Sequence, residues 1–213
     1  MEAAASETGA RVVRSRFESF QRQRNRALDL STSQWVLFVD ADERVPPSLA
    51  AEVRQRITSP GPNAGFWVPR RNVIAGVWVR HAGWWPDFQL RLLERRRARY
   101  DVSGVVHEVA ELDGPSDRLT EPLLHLNYET LAEFRAKQRR YALLEAETLA
   151  ARGIRARPHN LVLQPIREFR RRVVELQGIR QGPIGVRLGL EMALASFQTY
   201  RELLRLTRQI DRG

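Results

Sequence analysis

The apolar run Trp35-Val36-Leu37-Phe38-Val39 stops abruptly at Asp40-Ala41-Asp42-Glu43. A short strand that is apolar on both faces is the pattern of a central, buried strand of a parallel sheet. Before it, Phe17, Phe20, Ala27 and Leu30 recur among arginines and glutamines, which predicts an amphipathic helix from Phe17 to Leu30. After it, Pro46-Pro47-Ser48 opens a helix through Leu49-Ala50-Ala51-Glu52-Val53, and Ser59-Pro60-Gly61-Pro62-Asn63 ends it. Gly65 to Pro69 reads as a short strand, Phe88 to Leu93 as an alternating one, and Val105 to Glu111 as a less regular one. A turn at Asp113-Gly114-Pro115 leads to a last strand within Leu119 to Tyr128.

The pattern then changes period. Thr130-Leu131-Ala132-Glu133 is a capping box, predicting a helix to about Arg152 that Gly153 terminates. A second helix is expected over Ile166 to Leu176, a glycine-rich turn over Gly178 to Gly185, and a final helix from about Val186 to Ile210. The expected organisation is an α/β region over 1–128 and a helical region over 129–213, without repeats or low-complexity tracts. A chain of 213 residues can bury a core without disulfide or metal staples.

Composition narrows the partners. The 35 basic residues outweigh 25 acidic ones for a net charge of +10, and Lys137 is the only lysine. Such a balance favours nucleic acid, a phospholipid surface or a phosphorylated substrate. Nucleic acid is the weaker of these, because the basic residues are scattered and no binding module appears. The chain has no cysteine, which excludes a disulfide framework, thiolate metal ligands and a cysteine nucleophile and agrees with a cytoplasmic setting. No window carries the roughly 18 uncharged apolar residues of a spanning helix. Arg167, Arg170, Arg171 and Arg172 flank the second helix; Arg201, Arg205 and Arg208 recur on the last, opposite Leu188, Met192, Ala195, Leu203 and Leu206. That last helix either lies in an anionic membrane interface or packs its apolar stripe on the domain with its arginines solvated.

The sharpest local chemistry is Asp40-Ala41-Asp42. In an extended stretch, residues two apart share a side, so both carboxylates face one point beyond the strand, as suits Mg²⁺ or Mn²⁺. Asp87, in Trp84-Trp85-Pro86-Asp87, is a carboxylate beside tryptophans whose desolvation would raise its pKa toward that of a general base. Its alternative is an ordinary strand-entry aspartate. His107 is a candidate for a cation or phosphate contact and His125 a second, against structural roles for both. Zinc spacing, a nucleophile elbow and a phosphate-cradling glycine loop are all missing from the sequence.

Taken in order, Gln23-Arg24-Asn25-Arg26-Ala27-Leu28, Trp35 through Val45, Pro69-Arg70-Arg71-Asn72, His81 through Leu92, Val106-His107-Glu108, Leu124-His125 and Gly178 to Gly185 resemble the segments of bacterial family 2 glycosyltransferases. The likeness is to those of the lipopolysaccharide core and related cell-envelope sugar transferases. It implies a Rossmann-like GT-A sheet domain, a nucleotide-diphosphate-sugar donor, and an inverting transfer to a saccharide or lipid-linked acceptor. On that pattern Asp40 and Asp42 bind Mg²⁺ or Mn²⁺ and the donor diphosphate, with His107 as a further metal contact. Asp87 is the base, Gln89 and Arg91 support the diphosphate or acceptor side, and Arg24 and Asn25 belong to the donor site. The implied setting is peripheral, on the cytoplasmic face of the inner membrane, with an anionic membrane surface as a partner and no nucleic acid. The resemblance also implies two strands ahead of Met1 to Ala10, the first with the nucleotide-base loop and the second with an acidic ribose-binding motif. The expectation is a start codon placed too late; the alternatives are an inactive scaffold remnant or a second polypeptide supplying that half.

Overall fold

A computed structural model of the chain describes residues 9–102 and 109–210. In chain order its elements are α1 (Phe20–Leu30), β1 (Trp35–Leu37), β2 (Glu43–Arg44), α2 (Pro47–Thr58), β3 (Gly65–Ile74), β4 (Val77–Trp78), β5 (Asp87–Glu94) and β6 (Ala98–Arg99). Next come β7 (Glu111–Leu112), β8 (Ser116–Arg118), β9 (Leu123–Tyr128), α3 (Leu131–Ala151), α4 (Asn160–Arg170) and α5 (Pro183–Ile210). This is the mixed α/β region followed by helices that the sequence pattern predicts. The elements fall into two compact units. One takes the described residues of Met1–Phe38, Arg54–Trp67 and Leu90–Arg118; the other takes Val39–Val53, Val68–Gln89 and the described residues from Leu119 onward.

In the first unit, α1 begins where the Ser19 hydroxyl accepts the Arg22 N–H at 3.2 Å, and it buries Leu28. Leu28 packs with Leu90, Leu93, Ala98, Tyr100 and Ala110, and Val36, Phe38, Trp67 and Leu112 close this core. β1 pairs antiparallel with the end of β5, Trp35 opposite Glu94 and Leu37 opposite Leu92. The pairing seen for β1 is antiparallel, where the apolar run was read as a strand of a parallel sheet. β1 stands at an end of the strand order, antiparallel to its partner and half-buried throughout. Val36 and the following Phe38 pack on the Leu28 core, and Trp35, on the other face of β1, meets the buried Phe66 with ring centres 5.6 Å apart. β6 and β7 pair antiparallel, and the start of β3 runs parallel to β8.

In the second unit, the remainder of β3 runs parallel to β9 from Arg70 opposite Leu123 to Ile74 opposite Tyr128, and β2 pairs antiparallel with β9. β4 folds back on β3 through Ala75 and Gly76, whose φ of 49° and 75° make the left-handed two-residue turn that suits strand twist. Glu52 of α2 accepts the N–H groups of Thr120 at 3.0 Å and Glu121 at 2.8 Å, fixing the entry to β9. The helix starts at the expected Thr130, whose Oγ1 accepts the Glu133 N–H at 3.2 Å, while Glu133 Oε2 accepts the N–H of Glu129, one residue ahead of the cap, at 3.0 Å.

Strands and helices of this unit share a core of Ile74, Val79, Tyr128, Phe134 and Leu188, in which Phe134 meets Trp84 and Tyr128 edge-on. A second cluster joins Ala146, Ala156, Leu203 and Leu204. Leu188 and Leu203 are fully buried and Ala195 nearly so, so the apolar stripe of the last helix is spent on internal packing. α4 starts ahead of the expected Ile166, with Pro165 held inside it, and runs into a π-helical turn over Arg171–Glu175. Pro165 is the sixth residue of this helix, past the first turn, so the i−4 bond to the Leu161 carbonyl is missing there while the helix continues on both sides.

Candidate active site

Three strands of the second unit place one row of polar side chains. Glu43 of β2 is opposite His125 of β9, and His125 is opposite Asn72 of β3. Directly paired residues share a face, and so do residues two apart along a strand; Arg70 therefore joins this row. All four sit where a sheet buries apolar groups, and Glu43, Asn72 and His125 are themselves buried. Each must therefore find partners.

They find them in one another and in two aspartates. Asp87, the first residue of β5, receives Arg70 Nε at 2.9 Å and Nη2 at 2.6 Å, and Asn72 Nδ2 at 3.1 Å, all on Oδ2. Gln89 Nε2 donates to Oδ1 at 2.9 Å. The Arg70 Nη1 also lies 3.6 Å from Glu43 Oε1, so one guanidinium serves two carboxylates. Asn72 Nδ2 donates to the Trp84 carbonyl as well, at 3.0 Å. Because Nδ2 faces two acceptors, the Asn72 Oδ1 must accept, and His125 Nδ1 donates to it at 2.6 Å. His125 Nε2 then faces Asp42 Oδ2 at 3.3 Å. Asp87, Asn72 and His125 are thus joined by hydrogen bonds, with the Asp42 carboxylate next to them at the far ring nitrogen.

The electrostatics depart from expectation at Asp87. Burial pushes its pKa up, but the Arg70 charge and hydrogen bonds from Asn72, Gln89 and Arg70 outweigh burial and hold it below the usual carboxylate value. The expected upward shift is therefore corrected, because the neighbouring tryptophans do not remove the carboxylate from polar partners. His125 is held below the usual imidazole value, by burial first and then by the Arg70 charge, against the opposing pull of Asp42 and Glu43. At neutral pH it is a neutral imidazole with its proton on Nδ1 and its lone pair toward Asp42.

Asp40 and Asp42 do not lie on an extended stretch, so the two-residue alternation proposed for them does not apply. The Glu43 N–H donates to the Asp40 carbonyl at 2.9 Å, closing a turn, and Glu43 Oε2 accepts the Asp40 N–H at 2.9 Å. The Asp42 carbonyl accepts the Leu126 N–H at 2.9 Å, which ties the turn to β9. The Asp42 carboxylate stays 46% exposed, and Asp40 is exposed. Among the described residues, no group of three or more His, Cys, Asp or Glu is arranged to hold a metal. Asp40 and Asp42 are exposed carboxylates, the oxygen-ligand type that a hard cation of the Mg²⁺ or Mn²⁺ kind takes together with waters and substrate oxygens. His107, expected as a further contact, lies outside the described residues.

The other expected residues belong to the first unit. Asn25 uses both ends of its amide on the Tyr100 backbone, donating to the carbonyl at 2.8 Å and accepting the N–H at 2.9 Å. Arg24 stacks on Tyr100, its guanidinium carbon 5.5 Å from the ring centre, and Arg91 is buried on β5. The structure thus brings together Asp42, Asp87 and Gln89 and adds Glu43, Arg70, Asn72 and His125, which residue types alone did not single out as one group. The signal for two of them was the polar run Arg70-Arg71-Asn72 between the apolar residues Phe66–Val68 and Val73-Ile74 of one strand.

The model of the family described as Glycosyl transferase family 2 matches residues 2–110. The chain is also 27% identical, over 150 residues, to the lipopolysaccharide core biosynthesis glycosyltransferase LpsC of Rhizobium meliloti (strain 1021). That match covers 70% of this chain and 56% of LpsC, so the chain spans about half the length of the curated relative it matches.

Proposed function

The chain belongs to glycosyl transferase family 2, and from that premise we propose that it transfers a sugar, with inversion, from a nucleotide-diphosphate-sugar to a cell-envelope saccharide or lipid-linked acceptor. The observation that carries the reading is the hydrogen-bonded row from Asp87 through Asn72 to His125, with the Asp42 carboxylate next to it. It sets a carboxylate suited to the acceptor near one suited to the donor.

In this reading Asp87 accepts the proton of the attacking acceptor hydroxyl. Its low pKa keeps it ionised at neutral pH, and the four hydrogen bonds from Arg70, Asn72 and Gln89 aim it. Asp40 and Asp42 hold a Mg²⁺ or Mn²⁺ ion with the donor diphosphate; when bound, that ion offsets the charge that builds on the leaving diphosphate. His125 faces the Asp42 carboxylate with Nε2, which donates to it only when the imidazole is protonated, and Arg70 keeps positive potential between Glu43 and Asp87. Gln89 supports the acceptor side, and Arg24, Asn25, Arg91 and His107 keep the donor or metal roles that the family resemblance gives them. Inversion in one displacement needs a base and leaving-group stabilisation, with no covalent enzyme intermediate. The setting proposed is peripheral, on the inner face of the cell membrane; among the described residues no helix is long and apolar enough to cross it.

The test is release of nucleoside diphosphate from UDP- and GDP-sugars in the presence of delipidated lipopolysaccharide saccharides. Asp87→Asn and Asp42→Asn are compared with the unaltered chain, with Mg²⁺ or Mn²⁺ and with chelator. Acceptor-dependent release that falls by about 10²-fold or more in Asp87→Asn supports the assignment. Release that is indifferent to both substitutions removes it.

A further inference from the structure

The stripe that the sequence marked on the last helix is spent on internal packing, while Val186, Leu190, Leu194 and Phe197 of that helix are 37–51% exposed. α4 offers a more exposed ridge that the sequence did not mark, and one flanked by arginines. No residue of α4 is buried. Val162, Leu163 and Ile166 are 59%, 57% and 59% exposed. Val162, Ile166 and Arg170 follow at four-residue steps and so form one ridge, with Leu163 and Arg167 alongside. The π-helical turn continues that ridge to Val174, also exposed. Leu161 points the other way, against the cluster of Ala146, Ala156, Leu203 and Leu204, and so anchors the helix with its apolar ridge outward.

The charges beside the ridge are in net positive excess. Arg157, Arg167, Arg170 and Arg180 are exposed. The acidic residues of the segment are Glu168, engaged by Arg171 and Arg172 at 2.8 Å, and Glu175, paired with Arg170 at 2.9 Å. We infer that the α4 ridge, Val162, Leu163, Ile166 and Val174 with Arg167 and Arg170, is the surface by which the chain seats on an anionic lipid bilayer. The helix lies in the interface plane with its apolar side chains among the acyl chains and its guanidiniums at the phosphates. A second copy of the same face would set arginines against arginines, whereas an anionic bilayer complements them. This deepens the inner-face setting proposed above and rests on that reading, but vesicle binding is read without any sugar substrate, so each can fail alone.

The absence of cysteine permits a direct test on the full chain. Ile166→Cys carries an environment-sensitive fluorophore, and Gln55→Cys, exposed on α2, is the control. Vesicles are phosphatidylcholine alone or with one third phosphatidylglycerol. The expected result is a blue-shifted, brighter emission at the 166 position on the anionic vesicles and no change at the control. Binding weakens about tenfold or more in Val162→Ser with Leu163→Ser, and about tenfold in Arg167→Gln with Arg170→Gln. These positions are exposed, so unchanged melting curves check that the fold is intact. An unchanged emission on anionic vesicles, an equal change at the control, or a lipid-free shift that grows with protein concentration overturns the proposal, the last outcome assigning the ridge to a second copy.

Discussion

Arg70→Met isolates the electrostatics of the site. The guanidinium donates twice to Asp87, at 2.9 Å and 2.6 Å, and lies 3.6 Å from Glu43, whose side chain has no exposure. Removing one partner of a buried ion pair costs about 3–5 kcal/mol, because the remaining charge is left without compensation. The Asp87 side chain is 25% exposed, so water repays part of that, and about 3 kcal/mol is the expected loss. For a chain of this size, about 2–4 °C is lost per kcal/mol, so Tm falls by about 6–12 °C at about pH 7.

The loss also depends on pH, and its sign follows from the pKa directions. In the unaltered chain the Asp87 pKa lies below its ordinary 3.8, so its carboxylate contributes stability above that value and loses it as pH falls through the lowered one. Without Arg70 the Asp87 pKa moves up, and the stabilising contribution at neutral pH shrinks or reverses. The gap in Tm between the two proteins should therefore narrow as the pH falls below about 4, where the lowered Asp87 carboxylate of the unaltered chain takes its proton. Arg70 also helps to hold the His125 pKa down, so the imidazole titration seen by NMR should move up in the variant. Melting within about 2 °C of the unaltered chain, or a gap that does not change with pH, would refute the reasoning.

Other expectations test the frame around the site. A Cβ at Gly185 would stand 2.0 Å from the Gly178 carbonyl and 2.7 Å from the Gln181 Cβ, so Gly185→Ala should lower stability by about 1–3 kcal/mol in urea melts. Leu203→Ala should cost about 2–5 kcal/mol, because Leu203 is fully buried against the α3 and α4 side chains of its cluster. Leu143→Ala, half-exposed on α3, should change stability by less than about 0.5 kcal/mol in the same measurement. Equal losses at Leu203 and Leu143 would contradict the packing described.

Local signals carried much of the fold. Thr130 and Glu133 marked a helix start because their hydrogen bonds close within one turn of chain, and Gly153 marked its end with a φ of +74°. The Trp35 run marked a strand, but its place in the sheet depends on which segment pairs with it, and that partner is the distant Leu92 to Glu94. The same limit hid the site. Glu43, Asn72 and His125 are separated along the chain by tens of residues, and only the register of β2, β9 and β3 makes them a row. Asp87 was legible as a carboxylate of interest, yet the direction of its pKa was not. That direction is set by Arg70, whose nearness is a property of the paired strands. Asp40 and Asp42 were read on an extended backbone, but the buried Glu43 turns the chain back on itself there.

The most direct measurement of the central claim is the anomeric configuration of the transferred sugar, read by proton NMR on the product formed from an α-linked UDP- or GDP-sugar. A single displacement, with Asp87 taking the proton of the acceptor hydroxyl, predicts a product of inverted, β configuration that Asp87→Asn does not form. A product of retained configuration, or the same product at the same rate from Asp87→Asn, would contradict it.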